Sequence, residues 1–350
     1  MRNNHADVKR IIYFGLWKIQ ADRFFRHLNR KKILILAYHG ITDKEYEIAP
    51  WTLIHLRVFE RQMEYIKRRY TPISLQEVAE SIRNGKVLPP YSAVVTFDDG
   101  YKNNLSIALP VLEKYRIPAT IFVTAGYIGS SRILPSDEIY EILLNVKTSG
   151  PLNIPQMDLG PLFVDTTDNL LETCLKVDQQ LKKYPSTIQI NLLSELRQTS
   201  NCEIRCDSEM LKDCRLLSWD DLRSLIKTDL IQIGAHTVSH EILTNVSGEE
   251  ALAEILNSKR IVEKKLNRKI TMFAYPNGTA ADFNDYHIEQ LKQNGFICGM
   301  TTIPKLNDGF DNPYRLGRFC IGRNTSATLS NFALRVSGTI SALKPFKEVA

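Results

Sequence analysis

No stretch of this sequence approaches the roughly 18 consecutive apolar residues that a membrane-spanning helix needs. The apolar run Ile11 to Trp17 is short, and Lys18, Gln20 and Asp22 follow it instead of a small-residue cleavage site, so it does not read as a secretory signal. Cysteine is scarce. Cys174, Cys202, Cys206, Cys214, Cys298 and Cys320 are too few and too scattered for a disulfide framework in a chain of 350 residues. Cys202, Cys206 and Cys214 cluster, but they lack Cys-x-x-Cys spacing and a fourth ligand, and are read as free thiols rather than a zinc site. These absences point to a reducing, cytoplasmic location. Internal repeats and low-complexity tracts are missing too.

Positive charge is not spread over the chain. The net charge is +6, yet residues 1–32 alone hold nine Lys or Arg against two Asp. The remainder is close to neutral, with no basic groove evident, which argues against nucleic acid as a partner. Residues 7–30 combine Val8, Ile11, Ile12, Leu16, Ile19, Phe24, Phe25 and Leu28 with Lys9, Arg10, Lys18, Arg23, Arg26 and Arg30. Two readings stand. The segment is a helix packed across the base of a domain with its basic side in water, or a monotopic helix holding the protein peripherally at the inner face of an anionic membrane.

What is present is an ordinary globular composition, 43% hydrophobic and 24% charged. Short apolar, β-branched runs recur: "ILILAY" (33–38), "SAVVTF" (92–97), "ATIFVT" (119–124), "LIQIGA" (230–235), "ITMFA" (270–274) and "FICGMTT" (296–302). Amphipathic stretches separate them, one opened by a Ser74–Glu77 capping box and ended near Gly85, another opened by Ser218 and Asp221. The alternation predicts βαβ units around a mostly parallel sheet or barrel. Residues 129–217 break the rhythm with helical stretches (136–147, 167–184, 189–198), and read as an insertion on the barrel.

Within "VVTFDDGY" (94–101), Asp98 and Asp99 sit side by side at the end of an apolar strand. Strands tolerate Asp poorly and adjacent carboxylates repel. An Asp-Gly turn explains one such pair, but so does a cation that holds one carboxylate and leaves the other free as a base. "GAHTVSH" (234–240) places His236 and His240 four apart after another strand, convergent if the stretch makes a helical turn. Tyr38-His39, Asp98-Asp99, His236 and "AYPNG" (274–278) all close strands, and in a parallel barrel such ends share the carboxyl-terminal face where active sites form. Asp99, His236 and His240 then make a two-histidine, one-carboxylate set, the composition of a catalytic rather than structural zinc site, with Asp98 beside it as base.

"TFDDGY" and "HTVSH" resemble the first two motifs of the polysaccharide deacetylases (carbohydrate esterase family 4, the NodB homology domain), over roughly residues 33–130 and 215–322. The resemblance implies a distorted (β/α) barrel and metal-dependent removal of acetyl groups from sugars. Two motifs depart from the common pattern. Ala274-Tyr275-Pro276-Asn277-Gly278 stands where many members have Arg-x-Pro-Tyr-Gly, and a late Leu-x-His motif is absent. "LAYHGI" near the N-terminus instead resembles a circularly permuted branch that includes exopolysaccharide poly-N-acetylglucosamine deacetylases. That likeness implies His39 as acid, the Asn277 backbone N–H as oxyanion donor, and Arg318 of "YRLGRFCIG" (314–322) in place of the missing arginine. Arg315 and Arg318, read on one strand, point to opposite faces. Tyr275, Pro276 and Tyr101 are the expected substrate contacts.

The expectation is therefore a basic N-terminal helix (1–32), a catalytic barrel (33–322) carrying the insertion, and a C-terminal tail (323–350). One divalent ion, zinc, serves removal of N-acetyl groups from a polysaccharide, oligosaccharide or lipid-linked glycan. A non-catalytic carbohydrate-binding protein, or hydrolysis of an O-acetyl ester or another non-peptide C–N bond, remain as alternatives.

Overall fold

The computed structural model describes residues 11–146, 150–202, 208–323 and 328–343. Residues 7–10 of the basic segment, Cys206 and residues 344–350 lie outside them. Among the described residues ten strands form: β1 (Leu34–Tyr38), β2 (Gly40–Thr42), β3 (Leu53–His55), β4 (Thr71–Pro72), β5 (Ser92–Phe97), β6 (Ala119–Val123), β7 (Ile231–Ala235), β8 (Met272–Ala274), β9 (Cys298–Met300) and β10 (Phe319–Cys320). All six runs expected as strands contain one. The short β2, β3, β4 and β10 carry too few apolar residues to announce themselves.

The main sheet has the order β10-β1-β5-β6-β7-β8-β9, with β4 also pairing β5, and every described ladder is parallel. The fold is the distorted (β/α) barrel expected, its sheet curled so that alternate side chains fill two cores. Leu34, Leu36, Val95 and Phe97 pack outward against Phe59, Met63 and Ile66 of the helix Leu56–Arg69. Ile35, Val94, Phe122, Met272 and Met300 meet on the concave side with Leu75 and Val78 of the helix Leu75–Asn84. Burying apolar side chains on both faces is what near-continuous hydrophobic strands require. β7 approaches β6 closely only because Gly234 lacks a side chain: a Cβ there would lie 2.4 Å from the Phe122 ring.

The capping boxes at Ser74–Glu77 and Ser218–Asp221 both form, and Gly85 ends its helix in the left-handed conformation at φ 66°. Between β6 and β7 the chain makes the helices Pro135–Leu144, Thr167–Leu181, Ser186–Thr199 and Glu209–Asp213. They pack onto the end of the barrel where β5 and β7 finish. Leu217 N–H donates to Gly100, Tyr101 donates to Asp137, and Ser186 N–H donates to Glu241.

Register levels the strand ends. Tyr38 pairs with Phe97, Val123 with Ala235, Ala235 with Phe273, and Ala274 with Met300. His39, Asp98, Thr124, His236 and Tyr275 therefore leave the sheet at one edge. The opposite edge receives the N-terminal helices, because residues 29–33 lead directly into the start of β1 and the Arg30 carbonyl accepts from Tyr91, just before β5. The helices Leu329–Val336 and Thr339–Leu343 pack beside them.

Candidate active site

Along β5, Val94, Thr96 and Asp98 alternate toward the concave side, as period two requires. Asp98 thus delivers a carboxylate into the barrel mouth, 3% exposed. Its partner is Arg318, the largest fully buried side chain among the described residues. Arg318 Nη1 and Nη2 donate to the two Asp98 oxygens, both at 2.7 Å, while Nε donates to the Thr301 carbonyl at 3.0 Å and Nη1 also reaches Thr96 Oγ1 at 3.1 Å. Burial pushes the Asp98 carboxyl up, but the Arg318 charge and the neighbouring imidazoles outweigh it and leave it below its ordinary value. Asp98 is an ionised, oriented carboxylate. Arg315 behaves differently: it ends a 3-10 turn (Pro313–Arg315) rather than sharing a strand with Arg318, and lies half-exposed over the Phe283 ring. The two arginines are separated by a change of backbone, which corrects the single-strand reading.

Asp99 takes the next step in the left-handed region, φ 71°, followed by Gly100 at φ 88°. This costs about 1–3 kcal/mol in a non-glycine residue, and turns the Asp99 carboxylate away from Asp98 toward the β7 end. His236 Nε2 lies 3.4 Å and His240 Nε2 3.3 Å from Asp99 Oδ1. The expected helical turn between the histidines is absent. Thr237 and His240 both have positive φ, 58° and 61°, and the stretch is a bent loop that brings the rings together at 5.0 Å. The His–His spacing of four is met by loop geometry.

Glu254, on the helix Gly248–Leu266, shapes that loop. Its carboxylate accepts from the Val238 N–H at 2.7 Å, the Ser239 N–H at 3.0 Å and the Ser239 hydroxyl at 2.9 Å. His236 Nδ1 lies 2.7 Å from the Ala274 carbonyl, so this nitrogen carries the proton and Nε2 keeps its lone pair for the site.

These three residues fit one divalent cation. Their ligand atoms all lie within 4.8 Å of one another. Asp99 Oδ1 is buried and makes no hydrogen bond, and 3.3–3.4 Å is long for a charge-assisted one. Ligand atoms on a tetrahedral ion with bonds of about 2.0–2.1 Å stand about 3.3 Å apart, which is the spacing from Asp99 Oδ1 to each imidazole. Zinc suits two imidazoles and a carboxylate, and leaves a coordination position open.

His39 closes β1, with its ring edge-on to Trp51 at 5.1 Å and its Nδ1 buried without a partner. Asn104 anchors it by donating to its carbonyl at 2.7 Å. Burial pulls the imidazole pKa down, against the opposing pull of the Asp99 and Asp98 charges. Asn277 also has a positive φ, 57°; its side chain is tied to Asp282 at 2.8 Å, and its backbone N–H makes no hydrogen bond among the described residues.

Three expected substrate contacts are corrected. Tyr275 is fully buried, stacked on Phe283 at 4.2 Å with its hydroxyl donating to Tyr314, so its ring cannot lie against a sugar. Tyr101 is also buried and spends its hydroxyl on Asp137 of the insertion at 2.7 Å. Pro276 is buried as well. Aromatic bulk is better used here as core than as a sugar platform. Trp51 and Glu254 went unrecognised in the sequence: one is a lone aromatic in a loop, the other one acid among several on a long helix.

The polysaccharide deacetylase family profile matches residues 85–298. The Bacillus subtilis protein YxkH, named as a polysaccharide deacetylase, is 30% identical over 298 residues, which cover 85% of this chain and 74% of that one. A poly-β-1,6-N-acetyl-D-glucosamine N-deacetylase of Staphylococcus epidermidis is 26% identical over 172 residues, 45% of this chain and 59% of its own length. Among solved structures, IcaB from Ammonifex degensii superposes with a TM-score of 0.57 at 18% identity, covering 87% of this chain and 97% of that one. The chain belongs to the polysaccharide deacetylase family.

Proposed function

We propose that this protein is a metal-dependent N-deacetylase acting on amino sugars of a polysaccharide or related glycan. The observation that carries the reading is the placement, at level strand ends, of an Arg318-clamped Asp98 beside the Asp99–His236–His240 set. Family membership, and relatives named for poly-β-1,6-N-acetyl-D-glucosamine, support an N-acetylated amino-sugar polymer as substrate.

Asp99, His236 and His240 would hold one divalent ion, zinc by its donor set, which when bound supplies Lewis acidity to the acetamide carbonyl and to water. Asp98 accepts a proton from the attacking water, whose oxygen joins the acyl carbon. Arg318 keeps that carboxylate ionised and fixes its orientation. The Asn277 N–H, which makes no hydrogen bond among the described residues, would donate to the developing oxyanion. His39 passes a proton to the sugar nitrogen as the C–N bond breaks, releasing acetate and an amine. Trp51, beside His39, offers an apolar wall to the sugar ring. Each turnover converts a neutral acetamide into a group that is cationic at neutral pH.

The test is acetate release by zinc-loaded enzyme from β-1,6-linked and β-1,4-linked N-acetylglucosamine oligomers. Release that stops on chelation and returns with zinc is expected. Zinc bound at one equivalent with no acetate from any acetylated glycan would overturn the reading.

A further inference from the structure

The N-terminal helices leave large apolar side chains in solvent as well as packing others against the protein. Residues 11–18 are helical, and at 100° per residue Tyr13, Leu16 and Trp17 share the face turned to the protein. Ile11, Ile12, Phe14 and Ile19 share the opposite face and stand 71%, 52%, 51% and 74% exposed. The next helix, Ala21–Leu28, also exposes apolar side chains. Phe24 and Leu28 are 61% and 57% exposed, whereas Asp22 is buried against the Tyr65 hydroxyl at 3.0 Å and the Arg26 guanidinium turns inward toward the Tyr70 and Tyr91 rings. Tyr13, Leu16, Trp17 and Phe25 are half-buried against the protein and Arg23 and Arg30 are exposed, so the described helices do pack on the base of the barrel, yet they leave these large apolar side chains uncovered. Six large apolar side chains exposed within 18 residues of chain mark an interaction site.

Basic side chains gather beside the same helices. A cavity of about 390 Å³ opens between the N-terminal helices and the helix Leu56–Arg69, lined by Trp17, Lys18, Arg23, Arg61, Arg68 and Arg69. Of its two carboxylates, Asp22 is engaged by Tyr65 and Glu64 pairs with Arg68 at 2.7 Å. Arg61 and Arg69 have no carboxylate partner among the described residues. The Lys18 ammonium lies over the Phe14 ring, 5.3 Å from its centroid.

We propose that this face docks on an anionic phospholipid bilayer, with Ile11, Ile12, Phe14, Ile19, Phe24 and Leu28 entering the headgroup–acyl boundary and the arginine-lined cavity receiving lipid phosphates. Charge complementarity selects the bilayer over a second copy of the chain, because two such faces would bring their arginines together. The docking surface lies at the amino-terminal ends of the strands, and the candidate active site lies at the carboxyl-terminal ends. Docked in this way, the enzyme holds its site about 17 Å or more from the membrane plane, the length of a five-residue strand. It faces a glycan chain extending from the surface rather than a sugar at the headgroup level.

The experiment is flotation of the full-length, zinc-loaded protein with phosphatidylcholine vesicles, with or without phosphatidylglycerol. The expected result is binding only to the phosphatidylglycerol vesicles, weakened by salt. Arg61→Gln with Arg69→Gln should lower the partition about 25-fold, about fivefold per lost charge. Ile19→Ser with Phe24→Ser should abolish it, and both double variants should keep wild-type acetate release from soluble oligomers. Absence of flotation with either vesicle, equal flotation with both, or a dimer in size-exclusion chromatography that Phe24→Ser dissociates, would each overturn the proposal.

Discussion

Arg318 lies fork to fork across the Asp98 carboxylate, two 2.7 Å contacts between residues 220 positions apart in the chain, both nearly inaccessible to water. Removing one member of a buried pair leaves the other uncompensated, at about 3–5 kcal/mol. Arg318→Ala should therefore lower the melting temperature and suppress turnover together. Arg318→Lys keeps the charge but not the fork, and should recover stability more fully than kcat. Equal recovery of both would mean that orientation of Asp98 is unimportant.

The two neighbouring aspartates should separate cleanly by mutation. Asp98→Asn is expected to lower kcat by about 10²–10⁴-fold while retaining one zinc per chain by elemental analysis. Asp99→Asn should lose zinc and turnover together, because Asp99 Oδ1 is the oxygen that faces both imidazoles. An Asp98→Asn enzyme near full activity would remove Asp98 from the base role.

His39→Ala should retain zinc and lose turnover, more severely for amide than for activated ester substrates, since only a poor leaving group needs protonation. Comparing amide with p-nitrophenyl acetate rates checks this. Equal losses on both would point to a role in binding alone.

Much of this site was legible because it breaks local rules. Two carboxylates closing an apolar strand conflict with strand propensity, and such conflicts collect at functional positions. Strand-end placement alone makes His39, Asp98, Asp99 and His236 neighbours. The failures have equally physical causes. A tyrosine after a strand gives the same signal whether it lines a groove or fills a core, so Tyr101 and Tyr275 were misplaced. The four-residue spacing of His236 and His240 suggested a helical turn, because nothing in the sequence announces a threonine with positive φ. Helical spacing over residues 7–30 matches the helices at 11–18 and 21–28 but does not tell which side meets solvent, since that depends on what Tyr65 and the rings of Tyr70 and Tyr91 offer to Asp22 and Arg26.

Glu254 touches no candidate ligand directly, yet it fixes the backbone of the loop between them. Groups that orient metal ligands typically matter about 10–100-fold in affinity. Glu254→Ala should weaken zinc binding by that factor in a chelator competition, with kcat near wild type once zinc is saturating. A fall in kcat at full zinc occupancy would show instead that the loop's disorder reaches Asp98.

Asp137 predicts a pH dependence of stability. Burial, the first cause, raises its pKa from 3.8 to about 7, with the Asp99 charge adding to the rise and the Tyr101 hydroxyl opposing it. The folded state therefore binds this proton more tightly than the unfolded chain. Stability from that source is complete below the unfolded value, falls as pH rises from about 4 to 7, and is absent above it. A shift of this size corresponds to at most roughly 4 kcal/mol. Asp137→Asn keeps an oxygen to accept the Tyr101 hydroxyl and has no charge to bury. Its melting temperature should match wild type at about pH 4 and exceed it at about pH 8. A cation on Asp99 opposes the charge that raises Asp137, so zinc loading should narrow the difference. Parallel melting curves for the two proteins across that pH range would show that Asp137 is ionised at neutral pH, with its charge met within the fold.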